Sequence, residues 1–189
     1  MSLTLVIGPM FSGKTSYLLS SIRKAKEDGI PTYVITSNLD KRYTDGQKIV
    51  NHNLDSIEAD ISVSDALNAL MTTKFLRAKI VFIEEAQFYT NLLNFVLLAV
   101  NIYKKEVIIA GLDGDAERNP FGEVLELIPH ADNIIKLKAV CKRCCDGTPA
   151  LFTSRIVKDP SIIHVGGADK YESLCRTHYA IYNQKIIKN

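Results

Sequence analysis

The chain has 189 residues, 47% of them hydrophobic and 23% charged, with a formal net charge of +2. This is ordinary globular composition, sized for one medium domain with a small appendage. The near-neutral charge argues against a nucleic-acid partner, and no apolar run approaches the roughly 20 residues of a membrane helix. The opening MSLTLVIGPM has no basic region and only a short apolar run, so no secretory signal is expected and the predicted setting is cytoplasmic.

In chain order, strands are predicted at residues 3–7, 31–36, 79–83, 106–110 and 133–137, with helical patterns at 14–27, 64–71 and 92–103 between them. Short apolar strands alternating with helices predict βαβ units and a parallel sheet, hence an α/β fold. Ser62, with Asp65 three residues on and Ala66-Leu67 beyond, resembles a helix start. The polar stretch 38–60 reads as a loop or hairpin. Basic clusters at 23–26 and 136–142 read as solvated faces. From residue 139 onward the chain turns to cysteines, glycines and short β-like runs, which predicts a second lobe.

GPMFSGKT, residues 8–15, matches G-x-x-x-x-G-K-[ST] between a predicted strand and a predicted helix. Gly8, Pro9, Met10, Phe11, Ser12 and Gly13 form a loop whose backbone N–H groups can converge on phosphate oxygens. The helix end behind it adds partial positive charge. Lys14 reaches the β/γ-phosphates and the Thr15 hydroxyl ligates Mg²⁺. A nucleoside triphosphate, ATP, is the predicted ligand.

IVFIEEAQFY, residues 80–89, runs a buried strand into adjacent carboxylates. Neighbouring residues on a strand point to opposite faces, so Glu84 and Glu85 can hold different tasks. In P-loop enzymes a neighbouring strand delivers a carboxylate to the Mg²⁺ shell. One of the two suits that place, and the other can take a proton from an attacking hydroxyl.

The cysteines sit in the last third. CKRC gives Cys141 and Cys144, and CRTH gives Cys175 and His178 about thirty residues later. Two such pairs suit one tetrahedral Zn²⁺, whereas a redox C-x-x-C would leave the second pair unexplained. With four protein ligands the zinc is structural. Cys145 reads as a spare thiol. The loop between the pairs, 146–174, contains HVGGADKY, where Gly166 and Gly167 allow close backbone approach to a substrate. The predicted division is 1–138 for the nucleotide-binding α/β domain and 139–189 for the zinc-binding lobe.

GPMFSGKT, DKRY, EEAQF, GLDGDAERNPFG and the two zinc pairs around GGADKY, in that order, resemble the type II thymidine kinases nearly end to end. The resemblance implies a P-loop lobe with a zinc lobe whose loop covers the substrate, and transfer of the ATP γ-phosphoryl group to the 5′-hydroxyl of thymidine with Mg²⁺. It implies that Glu85 is the catalytic base, that Glu84 stands near the metal, and that Arg42 and Arg118 lie near the phosphates and the loop after the fourth strand. Met10, Phe88, Leu112, Phe121, Thr153 and Tyr171 match nucleoside-pocket positions. A homotetramer and feedback inhibition by dTTP are further implications; neither a membrane nor a nucleic acid is an expected partner.

Three departures stand out. Glu84 is one methylene longer than the family's usual aspartate, which predicts slower turnover. Ala116 replaces an aromatic beside the base, removing on the order of 150 Å² of contact. That opens the pocket to other pyrimidine deoxynucleosides unless Phe88, Tyr89 or Phe152 fills the space. His164 precedes the double glycine and reads as an exposed loop residue; His52 has no assigned role. A kinase of broader pyrimidine specificity, a catalytically weak zinc-bearing regulator and a nucleic-acid-dependent ATPase are the competing readings.

Overall fold

Every side chain of the run Ile80–Ile83 is buried, as a strand must be when helices cover both faces of its sheet. The computed structural model describes residues 1–39, 48–51, 53–156 and 167–187. In them β1 (Ser2–Ile7), α1 (Lys14–Glu27) and β2 (Thr32–Ser37) precede a short hairpin, β3 (Lys48–Val50) and β4 (Ser56–Glu58), and then β5 (Ile61–Val63). A 3₁₀ turn (Ala66–Met71) and α2 (Thr73–Arg77) lead to β6 (Ile80–Ile83). Another 3₁₀ turn (Ala86–Phe88), α3 (Leu92–Leu97) and a π-helical continuation (Leu98–Ile102) lead to β7 (Glu106–Gly111), and a 3₁₀ turn (Leu125–His130) to β8 (Asn133–Lys136). The remainder holds β9 (Ala139–Val140), β10 (Pro149–Ala150), β11 (Phe152–Arg155), β12 (Tyr171–Leu174) and α4 (Arg176–Ile187).

The six-stranded sheet has the order β5-β2-β6-β7-β1-β8, and every pairing in it is parallel. The predicted α/β architecture is therefore present. Alternation along the strands builds two cores. On one face Leu18, Leu19, Ile22 and Ala25 of α1 meet Val34, Ile80, Phe82 and Ala110. On the other, Leu3, Leu5, Ile7, Val81, Ile83, Val107 and Ile109 meet Phe75, Phe95 and Val96. Phe82, fully buried, would cost about 3–5 kcal/mol if truncated to alanine.

The helix expected at 64–71 is a 3₁₀ turn, and Ser62 lies in β5 rather than at its start. The cap is Asp65 itself, whose side chain accepts from the Leu67 N–H at 3.0 Å. Stretch 38–60 contains the antiparallel β3–β4 hairpin. The segment between the cysteine pairs, expected as a loop, carries β10, β11 and β12, the last two paired antiparallel. Their short side-to-side ladders need distant partners, which local pattern does not reveal. Among the described residues no helix is long and apolar enough to cross a membrane.

Candidate active site and metal centre

The loop after β1 is shaped by what it excludes. A Cβ on Gly8 would lie 2.4 Å from the Leu137 carbonyl oxygen, and its φ is +150°, so only glycine fits where β8 ends against the loop. Phe11 (φ 64°) and Gly13 (φ 87°) curl the backbone, and Gly13 caps α1. Lys14 is 9% exposed and donates from Nζ to the Pro9 carbonyl at 2.8 Å. The Ser12 hydroxyl is buried inside the curl with no partner among the described residues.

Glu84 continues the β6 alternation onto the α1 face, after Ile80 and Phe82. Its N–H stays in the ladder, donating to Ile35 O at 3.1 Å. Thr15 Oγ1 donates to Glu84 Oε1 at 2.6 Å, and Glu84 is 5% exposed. The strand carrying these carboxylates is not hydrogen-bonded to β1: β7 lies between them. The α1 helix crosses over that strand, which brings Thr15 to the carboxylate. At Glu85 the backbone turns left-handed, φ 51° and ψ 48°, and the two glutamates part.

Gln87, which sequence reasoning passed over, is 4% exposed. Its Nε2 donates to Glu85 Oε2 at 2.5 Å, and its Oε1 accepts from the Leu112 N–H at 2.9 Å. The available signal was its position two residues beyond Glu85 in EEAQF.

Met10, Leu112 and Tyr171 form one buried apolar cluster, with Phe11, Ala116 and Phe121 packed against it. Phe88 meets Phe121 edge-on at 5.7 Å. Met10 N–H donates to the Thr153 hydroxyl at 3.0 Å, and Tyr171 N–H donates to Gly167 O at 3.0 Å. Seven predicted pocket positions are thus brought together; Gly166 lies outside the described residues, as do Asp40, Arg42 and Tyr43 of DKRY, His52 and His164. Ala116, like Phe11 and Phe121, packs against the Met10–Leu112–Tyr171 cluster, and the Tyr179 hydroxyl donates to Ala116 O at 2.6 Å. Tyr89 belongs instead to the main core. Arg118 stacks its guanidinium 4.9 Å from the Tyr179 ring and 5.7 Å from that of Phe152.

The ligand atoms of Cys141, Cys144, Cys175 and His178 all lie within 4.8 Å of one another. His178 Nδ1 is 3.6, 3.3 and 3.4 Å from the sulfurs of Cys141, Cys144 and Cys175. The Cys144 and Cys175 sulfurs are 3.7 Å apart. A tetrahedral zinc requires S···S near about 3.8 Å and S···N near about 3.6 Å, so this Cys₃His set can hold one zinc ion. Burial pushes the Cys141 thiol up, but backbone N–H groups of Cys175, Arg143 and Cys144 outweigh it and bring it down to about 6. Arg143 braces the knuckle by pairing with Glu172, 2.9 Å from each carboxylate oxygen. Cys145 is exposed and stands outside the cluster.

Known proteins resemble the chain throughout. A thymidine kinase from rice is 37% identical over 177 residues, covering 92% of this chain and 64% of the rice protein. The Yaba monkey tumor virus thymidine kinase is 37% identical over 175 residues, 93% of this chain and 92% of the viral one. The human cytosolic thymidine kinase is 34% identical over 174 residues, 92% of this chain and 71% of that protein. The thymidine kinase family model matches residues 1–179, a span that takes in the phosphate loop, both glutamates and all four zinc-ligand candidates, and the chain belongs to that family.

Proposed function

We propose that the protein is a thymidine kinase, moving the γ-phosphoryl group of ATP to the 5′-hydroxyl of thymidine to give dTMP and ADP. The observation that carries this reading is the Thr15–Glu84 contact of 2.6 Å. It joins the phosphate loop to the strand that presents Glu85, in a chain of this family. The residues fit the triphosphate and its Mg²⁺: a curled loop of N–H groups, an enclosed Ser12 hydroxyl, the Lys14 ammonium, and a hydroxyl–carboxylate pair of the kind that holds Mg²⁺ in P-loop sites. When bound, Mg²⁺ supplies charge neutralisation on the phosphates.

Glu85 accepts the 5′-hydroxyl proton as the nucleoside oxygen bonds to the γ-phosphorus and the bond to the bridging oxygen of ADP breaks. Lys14 and the loop amides hold the phosphates, and Arg42 adds positive charge there. Met10, Phe88, Leu112, Phe121, Thr153 and Tyr171 enclose the nucleoside, and Gly166 and Gly167 are assigned to substrate binding with them. Most of the barrier is removed by positioning and charge neutralisation, because phosphoryl transfer asks little covalent help.

Zinc holds residues 139–189 as a separate lobe over the α/β domain of 1–138, and its role is structural. Cytoplasmic location, a homotetramer and feedback inhibition by dTTP complete the reading. Exposed Leu98 and Ile102, 36% and 66% accessible, supply apolar surface for subunit contact.

The test is product formation by purified protein with Mg-ATP and labelled thymidine, beside deoxyuridine, deoxycytidine and a no-nucleoside control. Thymidine monophosphate is expected. ATP binding without product from any nucleoside would overturn the reading in favour of a regulator.

A further inference from the structure

A buried amide beside a carboxylate must have its two ends assigned, and here the surroundings assign them. The Leu112 N–H can only donate, so the atom 2.9 Å from it is the Gln87 oxygen. The Gln87 NH₂ is then turned to Glu85 Oε2, at 2.5 Å. A flipped amide would oppose two donors at Leu112 and two acceptors at Glu85, losing both bonds.

Two glycines let neighbouring backbone close on Gln87, one at its side chain and one at its main chain. A Cβ on Gly111 would sit 3.3 Å from Gln87 Oε1, and one on Gly122 (φ +58°) would sit 2.4 Å from the Gln87 carbonyl oxygen. The strand end and the loop after it therefore close on Gln87 from two sides. At 4% exposure the residue is enclosed in this packing.

We infer that Gln87 is a positioning residue for the reaction. It fixes the Glu85 carboxylate by one oxygen and ties it to the backbone of Leu112 in the nucleoside pocket, so that base and pocket wall share one rigid link. This rests on the assignment of Glu85 as the base. The link matters because Glu85 sits on a left-handed turn just past the end of β6, φ 51° and ψ 48°, where the direction of its side chain is not set by the strand's alternation. A misaligned general base loses rate without losing substrate affinity.

Two variants separate the role from mere packing. Gln87→Glu keeps the shape and the acceptor for Leu112 but offers Glu85 a second carboxylate in place of an N–H. Gln87→Met keeps the volume and removes both bonds. For Gln87→Glu, kcat is expected to fall roughly 10–100-fold with thymidine and ATP KM within about threefold. Gln87→Met is expected to lower kcat similarly and to raise thymidine KM as well, since Leu112 loses its acceptor. Each change is then repeated in a Glu85→Gln background. If Gln87 acts on kcat through Glu85, neither change lowers kcat further there, because its partner's function is already gone, while the KM effect of Gln87→Met through Leu112 persists.

Unaltered kcat in folded Gln87→Glu, or a full additional loss in the Glu85→Gln background, overturns the inference. If Glu85→Gln alone leaves kcat unchanged, the base assignment fails instead, and the two failures are told apart. Thermal melting and zinc content at wild-type values show that the variants are folded.

Discussion

Removing the Thr153 hydroxyl tests how the zinc-bearing region reaches the phosphate loop. That hydroxyl accepts from the Met10 N–H at 3.0 Å across 143 residues of sequence, with Met10 9% and Thr153 5% exposed. Thr153→Val keeps the shape and opens no cavity, so the loss isolates the hydrogen bond. It leaves a buried N–H without an acceptor, at a cost of about 1–3 kcal/mol. For a chain of this size each kcal/mol lowers the melting temperature by about 2–4 °C, so a drop of roughly 2–12 °C is expected. Met10 also lines the apolar pocket, so thymidine KM should rise while Thr153→Ser restores both values. The assay is differential scanning fluorimetry beside steady-state kinetics. A Thr153→Val protein that melts within about 1 °C of wild type with unaltered thymidine KM would refute the coupling.

Glu85→Gln keeps size and hydrogen bonding but takes no proton, so kcat should fall roughly 10²–10⁴-fold; an unchanged kcat in folded protein removes Glu85 from the role. Cys175→Ser should abolish stoichiometric zinc, measured by atomic absorption, and lower the melting temperature, because the lobe's buried cluster includes two of the ligand cysteines. Full zinc retention would show that the Cys₃His set is not the site. Ala116→Phe should raise the kcat/KM preference for thymidine over deoxycytidine by about tenfold, the scale of small apolar pocket changes. An unaltered ratio would mean that Phe11 and Phe121 already close that space.

Where a local rule decides structure, the sequence was legible. The α1 helix follows from Leu18, Ile22 and Ala25 at helical spacing, buried as written, and the phosphate loop from glycines only a glycine can replace. The Cys₃His cluster was legible because ligand spacing is local within each pair, and the pairs have few other uses. What was hidden is non-local. The insertion of β7 between the phosphate-loop strand and the carboxylate strand is a property of sheet order, which alternation does not encode. Ile61–Val63 is too short to signal a strand until β2 lies beside it. The stretch Ala66–Met71 forms a 3₁₀ turn rather than the expected helix because short i→i+3 turns compete closely with α-helix when tertiary contacts set the geometry.

Arg118 shows the same division at a single residue. The resemblance implied a place in the loop after the fourth predicted strand, and from the loop after β7 its guanidinium lies over the rings of Tyr179 and Phe152, partners that local pattern does not name. Tyr179 follows the zinc-ligand candidate His178 and also holds Ala116 O at 2.6 Å. Together with the Thr153–Met10 bond, these contacts attach the zinc-bearing region to the phosphate loop and to the loop carrying Ala116. Each attachment ends on a residue of the pocket or beside it. A metal that fixes His178 therefore constrains Tyr179, and through it the wall next to Ala116, without touching substrate. Loss of zinc is then expected to act on thymidine KM as well as on stability, a coupling that a metal confined to holding its own knuckle would not produce.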